Sequence, residues 1–166
     1  MNNQTLDYSK IKKEKSVLIS EEQDGMIIWL GNNEVIRKSA GQVFHNASNA
    51  QLESVAVLPQ IALPGSKLIM ELYRFDEATK NWGEKIATTE KHVQSVDCEE
   101  WLFFAFDQQT LQPGQWYGFK IICNEGQVAI AEGIHKPGEI AAKSMQWTAS
   151  AVHDIDVHMR VIVQTP

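Results

Sequence analysis

Cysteine and long apolar runs are scarce in this sequence, and each shortage excludes a class of protein. The 166 residues include two cysteines, Cys98 and Cys123, too few for the disulfide scaffold of a small secreted domain, so we expect two free thiols. No apolar run is long enough to span a bilayer, and residues 1–20 lack the apolar core of a secretory signal. The chain as written is expected to be cytoplasmic, or extracellular if a signal or a parent chain was removed.

Positive charge and catalytic motifs are scarce as well. Lysine and arginine number 15 against 21 aspartate and glutamate residues, which gives a formal net charge of -6. Because nucleic acids and anionic membranes attract cationic surfaces, the sequence predicts neither as a partner. The phosphate-binding loop, the dinucleotide fingerprint, His-Glu-x-x-His, Gly-x-Ser-x-Gly and Cys-x-x-Cys are all missing. We therefore expect no enzyme, no cofactor and no metal centre, and leave open whether a loop binds calcium.

Alternation of apolar and polar residues is the dominant pattern. In residues 155–163 every second residue is apolar, which predicts a half-buried strand, because a helix would scatter these residues around its circumference. Residues 100–106 are apolar on both faces, which is typical of a central strand. Turn-forming residues predict one hairpin around 74–82 and a second over 116–132. Further strands are predicted at 26–30, 51–58 and 67–75.

Many short strands separated by turns predict an all-β fold, a two-sheet antiparallel β-sandwich. Residues 21–166 are expected to form one domain, since their number fits a single core of ordinary size. Residues 1–20 are expected to be a polar N-terminal tail or an edge strand. A homodimer formed through edge strands stays open, because antiparallel sandwiches expose such edges.

A resemblance appears from residue 41 onward and is most specific at Leu111-Gln112-Pro113-Gly114-Gln115-Trp116-Tyr117. This Leu-x-Pro-Gly-x-x-Tyr stretch, with the apolar segments before it, resembles the jelly-roll sandwich domains of the galactose-binding-like and carbohydrate-binding-module type. The local chemistry agrees, because proline fixes its φ and Gly114 accepts a positive φ at a turn into a strand. The resemblance implies a jelly-roll fold and a domain that binds sugars, binds proteins or supports its neighbours.

Tryptophans are the first candidates for a binding site. Sugars stack their C–H faces on aromatic rings, while their hydroxyls need polar partners nearby. Trp82 follows polar residues at a predicted hairpin, and Trp147 lies between Gln146 and Thr148, so both are candidates for stacking. Trp101 and Trp116 lie in apolar strands and are assigned to the core.

The polar face of the last predicted strand is the second candidate. Asp156, His158 and Arg160 alternate with apolar residues and therefore share one face, where they could bind a metal or the hydroxyls of a sugar. The alternative is a solvated face of alternating charge. A cupin-like metalloenzyme would need several converging histidines, and only His158 lies on a confidently predicted strand.

Two functions from different classes follow from these features. The first hypothesis is a non-catalytic binding module that recognises carbohydrate through Trp82, Trp147, Asp156, His158 and Arg160. The alternative is a structural or protein–protein interaction domain of a larger assembly. An exposed tryptophan beside polar groups would favour the first, and a contiguous apolar patch or a long bare edge strand the second.

Overall fold

A computed structural model describes nine parts of the chain. Within them no helix is both long and apolar enough to cross a membrane. The described residues are 15–19, 23–33, 36, 38–47, 49–133, 145–148, 151–153, 156–157 and 159–164.

The described residues form strands almost throughout. A single turn of 3-10 helix, Ser95–Asp97, precedes β8. The strands are β1 (Lys15–Ile19), β2 (Gln23–Gly31), β3 (Ser39–Asn46), β4 (Ala50–Val57), β5 (Pro59–Ala62), β6 (Ser66–Asp76), β7 (Asn81–Val93), β8 (Leu102–Leu111), β9 (Gln115–Glu125), β10 (Gln127–Gly133), β11 (Met145–Thr148), β12 (Ala151–His153), β13 (Asp156–Val157) and β14 (Met159–Gln164).

Antiparallel pairing joins these strands into a two-layer sandwich. One layer is a six-stranded sheet in the order β12-β11-β3-β9-β6-β7. The other consists of the sheet β1-β14-β4-β8 and the sheet β13-β10-β2, in which β5 also pairs with β10. The chain passes directly from the first of these sheets to the second, because β4 ends at Val57 and β5 begins at Pro59. The prediction of an all-β, jelly-roll-like antiparallel sandwich is confirmed. The boundary at residue 20 stays a prediction, although β1 pairs with β14.

Alternating side chains from the facing layers form the core. In β6 Leu68, Met70 and Leu72 are fully buried, and the residues between them are only partly buried. Fully burying one such side chain contributes about 1.5–3 kcal/mol, so the packed layers are the main source of stability. Other large apolar side chains that are fully buried include Leu30, Leu52, Phe104, Leu111, Tyr117, Phe119, Ile121 and Ile130.

One predicted hairpin is confirmed and the other is wrong. β6 and β7 pair around the turn, with Phe75 opposite Trp82 and Asp76 opposite Asn81. β9 and β10 do not form the hairpin predicted over 116–132: β9 pairs with β3 and β6, whereas β10 pairs with β2, β5 and β13. The turn at Gly126 instead carries the chain from one layer to the other. Turn-forming residues between two strands indicate that the chain reverses direction, but they do not determine to which sheet each strand belongs.

The aromatic strand β8 differs from its predicted place. It pairs with β4 and is the last strand in that sheet's order within the described part of the chain, so the prediction of a central strand is wrong. Its side chains alternate, because Leu102, Phe104 and Phe106 are buried and Phe103 is 38% exposed. On its other face Phe103, Ala105 and Asp107 are all exposed.

The Pro-Gly turn between β8 and β9 has the predicted backbone. Gly114 has a φ of +74°, and its N–H donates to the Asn46 carbonyl oxygen at 2.7 Å. The buried Tyr117 hydroxyl accepts the Gln112 N–H at 2.8 Å. The Asn46 side-chain amide donates to the Gln112 carbonyl oxygen at 2.9 Å. The tyrosine and the asparagine therefore hold the turn where the chain changes layers.

Replacing Tyr117 by phenylalanine tests this arrangement. We expect the free energy of unfolding to fall by about 1–2 kcal/mol, because the Gln112 N–H loses its partner beside a buried ring. The measurement is urea unfolding, with Tyr73→Phe as the matched control, because the Tyr73 hydroxyl donates to the side chain of Glu71 rather than to the backbone. Equal losses in both variants would contradict the role given to the Tyr117 hydroxyl.

Candidate functional site

Four aromatic side chains lie side by side across the six-stranded sheet, and we call them the aromatic row. His45 of β3 is in register with Trp116 of β9, which is in register with Phe75 of β6, and Phe75 with Trp82 of β7. The ring centroids are 5.3 Å apart for His45 and Trp116 and 5.3 Å for Phe75 and Trp82. Because Tyr117, the chain neighbour of Trp116, points into the core, the row lies on the outer face of the sheet.

Trp82 is held closely by its neighbours. A Cβ atom built on Gly118 would lie 2.5 Å from Cζ3 of Trp82 and 2.7 Å from Cη2, so the indole rests on bare backbone. The Tyr73 ring meets it edge-on at 5.5 Å between centroids. The Lys120 Nζ lies 4.8 Å from the Trp82 centroid and 4.5 Å from that of Tyr73, within the range of a cation–π contact. The indole is therefore half-buried in one defined place.

Charged groups beside Trp82 are already engaged with one another. Glu71 accepts the Tyr73 hydroxyl at 2.5 Å and the Lys85 ammonium at 3.3 Å. Burial, with help from Glu71, raises the pKa of Tyr73 to about 12, so this hydroxyl stays protonated and donates at neutral pH. Burial lowers the pKa of Lys120, and the nearby Glu71 partly opposes the shift. Through these contacts Glu71 orients the Tyr73 ring, and Tyr73 and Lys120 hold the indole of Trp82 in place.

A cleft of about 440 Å³, which we call the end cleft, opens where the aromatic row meets the end of the sheet. Its volume falls within the usual range of ligand pockets. A neighbouring cleft of about 460 Å³ shares two of its residues, Arg74 and Glu84, and is also lined by Lys85, Gln109, Thr110 and Tyr117. The residues that line the end cleft are Arg74, Phe75, Asp76, Glu77, Ala78, Gly83, Glu84, Gly114, Gln115 and Trp116.

Two of the acidic residues in the end cleft shape its own turn. Asp76 Oδ1 accepts the backbone N–H groups of Ala78 at 3.0 Å and Thr79 at 3.3 Å. The side-chain hydrogen bond from Thr79, with that residue's N–H, lowers the pKa of Asp76. Glu77 forms an ion pair with Lys80 at 2.7 Å. These carboxylates fix the β6–β7 turn and thereby the rim of the cleft.

The end cleft combines a ring with polar groups, which is the chemistry that a sugar requires. Trp116 is half-buried and is one of the residues that line the cleft. Arg74, Glu84 and Gln115 are exposed in the same cleft and supply hydrogen-bond donors and acceptors. Within the described ranges no group of three or more His, Cys, Asp or Glu side chains is placed to hold a metal ion.

The predicted site residues are spread over both layers. Trp82 lies in β7, whereas Trp147 lies in β11 of the same sheet, in register with Gly41. Four strand spacings separate the two strands, roughly 19 Å across the sheet. Asp156 in β13 and Arg160 in β14 belong to the other layer. His158 lies outside the described residues.

Sequence reasoning missed Trp116, Arg74 and Glu84. The assignment of Trp116 to the core is wrong, because this side chain is only half-buried and lies on the outer face. The signal was present in the alternation of β9, where Tyr117 and Phe119 are buried and Trp116 and Lys120 stand between them on the other face. Trp101, also assigned to the core, is half-buried and precedes β8.

Comparison with known proteins shows a shared fold. No protein-family model and no curated protein matches the chain. It is similar to the clostridial cysteine protease Cwp84 after propeptide cleavage, with a TM-score of 0.60 and 13% identity over 92% of this chain and 40% of that one. A structure of the cysteine protease and lectin-like domains of Cwp84, a surface layer associated protein of Clostridium difficile, has a TM-score of 0.49 and 12% identity, over 77% of this chain and 32% of that one. At such identities the likeness establishes the all-β fold alone, and this chain spans less than half of either solved chain.

Proposed function

We propose that this chain is a non-catalytic domain that binds carbohydrate at the end cleft. The observation that carries the proposal is the half-buried Trp116, which lines the cleft together with Arg74, Glu84 and Gln115. One sugar unit would stack on the exposed part of the indole, and hydroxyls of the saccharide that reach the end of the sheet would bond to these polar side chains. Trp82, two strands away along the aromatic row, extends the aromatic surface for a second sugar ring.

Contacts that hold the turn beside the site support a binding role. Phe75 is 6% exposed and separates Trp116 from Trp82. Asp76 and Glu77 hold the adjoining turn through the hydrogen bonds and the ion pair described above. A site whose side chains are already ordered loses little conformational entropy when a ligand binds.

The other residues predicted from sequence belong to a wider form of the proposal. Trp147 would contact a longer saccharide that crosses the sheet from β7 toward β11. Asp156, His158 and Arg160 would form a separate polar surface, since Asp156 and Arg160 lie in the other layer. The fold shared with Cwp84, which includes a lectin-like domain and is associated with a surface layer, supports an extracellular binding role for this chain as well.

Replacing Trp116 by alanine is expected to weaken saccharide binding by about tenfold or more, because the stacking surface is lost. Binding is measured first on an array of neutral and acidic oligosaccharides, then by calorimetry with the ligands found. Trp82→Ala should weaken binding of oligosaccharides more than that of single sugars, because it lies two strands farther along the row.

Trp101→Ala is the matched control, because this half-buried tryptophan does not line the end cleft. It should leave affinity unchanged, and thermal unfolding should show that all three variants are folded. Saccharide binding that survives Trp116→Ala would move the site away from the cleft, and a flat response of the unmodified protein to every saccharide would refute the proposal.

A protein-interaction role is the second candidate, and an exposed apolar surface favours it. Ile61 is 43% exposed, Leu63 41% and Val96 77%. Ile61 and Leu63 lie in and just after β5, and the 3-10 turn that carries Val96 is tied to β5 by the Glu99 N–H, which donates to the Pro59 carbonyl oxygen at 2.7 Å. A flat saccharide response would direct attention to this surface.

A further inference from the structure

β7 is a long strand with one free edge. It runs over Asn81–Val93, thirteen residues, and within the described part of the chain it pairs with β6 alone and ends the order of the six-stranded sheet. Most of its residues are exposed, from Glu84 and Lys85 near one end to Lys91 and His92 near the other. Because the backbone N–H and C=O groups on the free side of an edge strand have no partner in the sheet, such an edge can receive another strand.

The charges along this edge are complementary to themselves. Within β7 the dipeptide Glu-Lys occurs at 84–85 and again at 90–91. When two copies of the strand run antiparallel, the first dipeptide of each copy can meet the second dipeptide of the other in reverse order. Lysines on an edge strand ordinarily prevent pairing because they repel one another, whereas here each lysine would face a carboxylate.

A bulge in β7 determines how its positions are counted. Leu72 lies opposite Ala87 and the next residue, Tyr73, lies opposite Lys85, so Ile86 is an extra residue. Ile86 and Ala87 both pack against the core, which is the arrangement of a bulge in which two residues face one. The two residues therefore occupy a single position in the ladder of paired strands.

With that position counted once, Thr88 is the centre of the charge pattern. It lies midway between Lys85 and Glu90, and also midway between Glu84 and Lys91. A two-fold axis at Thr88 would therefore place Lys85 of each copy opposite Glu90 of the other copy, and Glu84 opposite Lys91.

The side chains that would meet lie on matching faces. Lys85 and Glu90 both form ion pairs with residues of β6 across the outer face, at 3.3 Å and 3.4 Å. Lys91 is in register with a buried leucine of β6, and Glu84 lines a cleft together with the buried Tyr117, so these two lie toward the inner face. Because opposite residues of an antiparallel pair project to the same face, both charge pairs fit one register.

We infer that β7 is a dimerisation edge, through which two copies of this chain pair antiparallel about a two-fold axis at Thr88. A second copy is the partner because a two-fold contact uses the same surface twice, and the repeated Glu-Lys dipeptide has the self-complementarity that such a contact requires. The two six-stranded sheets would join into one, with both aromatic rows on the same side. Dimerisation through β7 does not depend on whether the end cleft binds carbohydrate.

Sedimentation velocity of the unmodified protein over a range of concentrations is the first measurement. We expect a species of twice the 18.7 kDa mass of the chain. Its dissociation constant should be on the order of 10 μM, because the pairing of two strands buries less surface than a standard interface. High salt should weaken the dimer, because it screens the ion pairs between the copies. A monomer at every concentration up to about 1 mM would overturn the inference.

Thr88→Lys and Thr88→Glu test the position of the axis. Each substitution should weaken dimerisation by at least about tenfold, because the axis brings two like charges directly opposite each other. The new ammonium of Thr88→Lys also lies in register with Glu71 of its own chain, so this variant should remain folded in thermal unfolding. An equimolar mixture of the two variants should form a heterodimer, which native mass spectrometry detects when one variant is isotope-labelled.

Ala105→Lys is the matched control. It adds the same charge at an exposed position of β8, which is the last strand in its own sheet within the described ranges. We expect this variant to dimerise like the unmodified protein. Loss of the dimer in Ala105→Lys, a dimer that survives both substitutions at Thr88, or a mixture that forms no heterodimer would each overturn the inference.

Discussion

Replacing Gly126 by alanine is expected to lower the free energy of unfolding by roughly 2–5 kcal/mol, the largest effect predicted for this chain. Gly126 has a φ of +71°, which an alanine adopts at a cost of about 1–2 kcal/mol. The new Cβ would also lie 2.7 Å from the Cα of Ser66, well inside van der Waals contact. This clash can be removed only if the backbone at Ser66 or at residue 126 moves, which costs more free energy than the rotation of a side chain.

Ser66 has little freedom to move away. It is 1% exposed, and its hydroxyl accepts the Gln127 N–H at 3.0 Å. The same hydroxyl lies 2.6 Å from the Leu63 carbonyl oxygen and 2.9 Å from that of Gln127, to either of which it can donate. A shift of Ser66 would break bonds that join the start of β6 to the turn at Gly126, where the chain changes layers.

Gly65→Ala is the matched control, because Gly65 has a φ of +77° and open space around its Cβ position. It should show the conformational cost alone, about 1–2 kcal/mol. Urea unfolding of both variants gives the difference, which we expect to be at least about 1 kcal/mol. Equal losses would mean that Ser66 relaxes freely and that the junction is less constrained than its hydrogen bonds indicate.

Local patterns predicted much of the fold because local chemistry decides those features. The β6–β7 hairpin follows from the turn-forming residues at 76–81, and Gly114 has the positive φ that its Pro-Gly turn requires. The pairing of strands is decided by contacts distant in sequence. The turn at Gly126 shows what local patterns leave undetermined. The same turn-forming residues are compatible with a hairpin or with a connection between layers, and here they form the connection.

The site was harder to predict because it depends on which face each side chain occupies. Trp116 lies in an apolar strand, so its composition suggested the core, whereas its register with His45 and Phe75 places it outside. Arg74 has no sequence signature, because its place in the end cleft depends on residues distant in sequence, such as Gln115 and Trp116 at the start of β9. Trp82 became a candidate because it follows polar residues at a hairpin, a local feature, and its role in binding stays a prediction.

Replacing Gly118 by alanine is expected to cost about 1–3 kcal/mol and to weaken binding of oligosaccharides, because it disturbs the seat of Trp82. The added Cβ would lie 2.5 Å from Cζ3 of Trp82 and 2.9 Å from Cγ1 of Val43, which is fully buried. The indole cannot simply tilt away, since Phe75, Tyr73 and Lys120 contact it. Thermal unfolding should show a decrease of about 2–4 °C per kcal/mol lost.

A double-mutant cycle with Trp82→Ala separates this clash from other effects of the substitution. Without the indole, Gly118→Ala meets mainly Val43, and alanine is otherwise the better residue in a strand. We therefore expect the cost of Gly118→Ala to fall by at least about 1 kcal/mol in the Trp82→Ala background. An unchanged cost would show that the indole does not rest on Gly118. If most of the cost of Gly118→Ala disappears in the Trp82→Ala background, the position of Trp82 in the aromatic row depends on the absence of a side chain at residue 118.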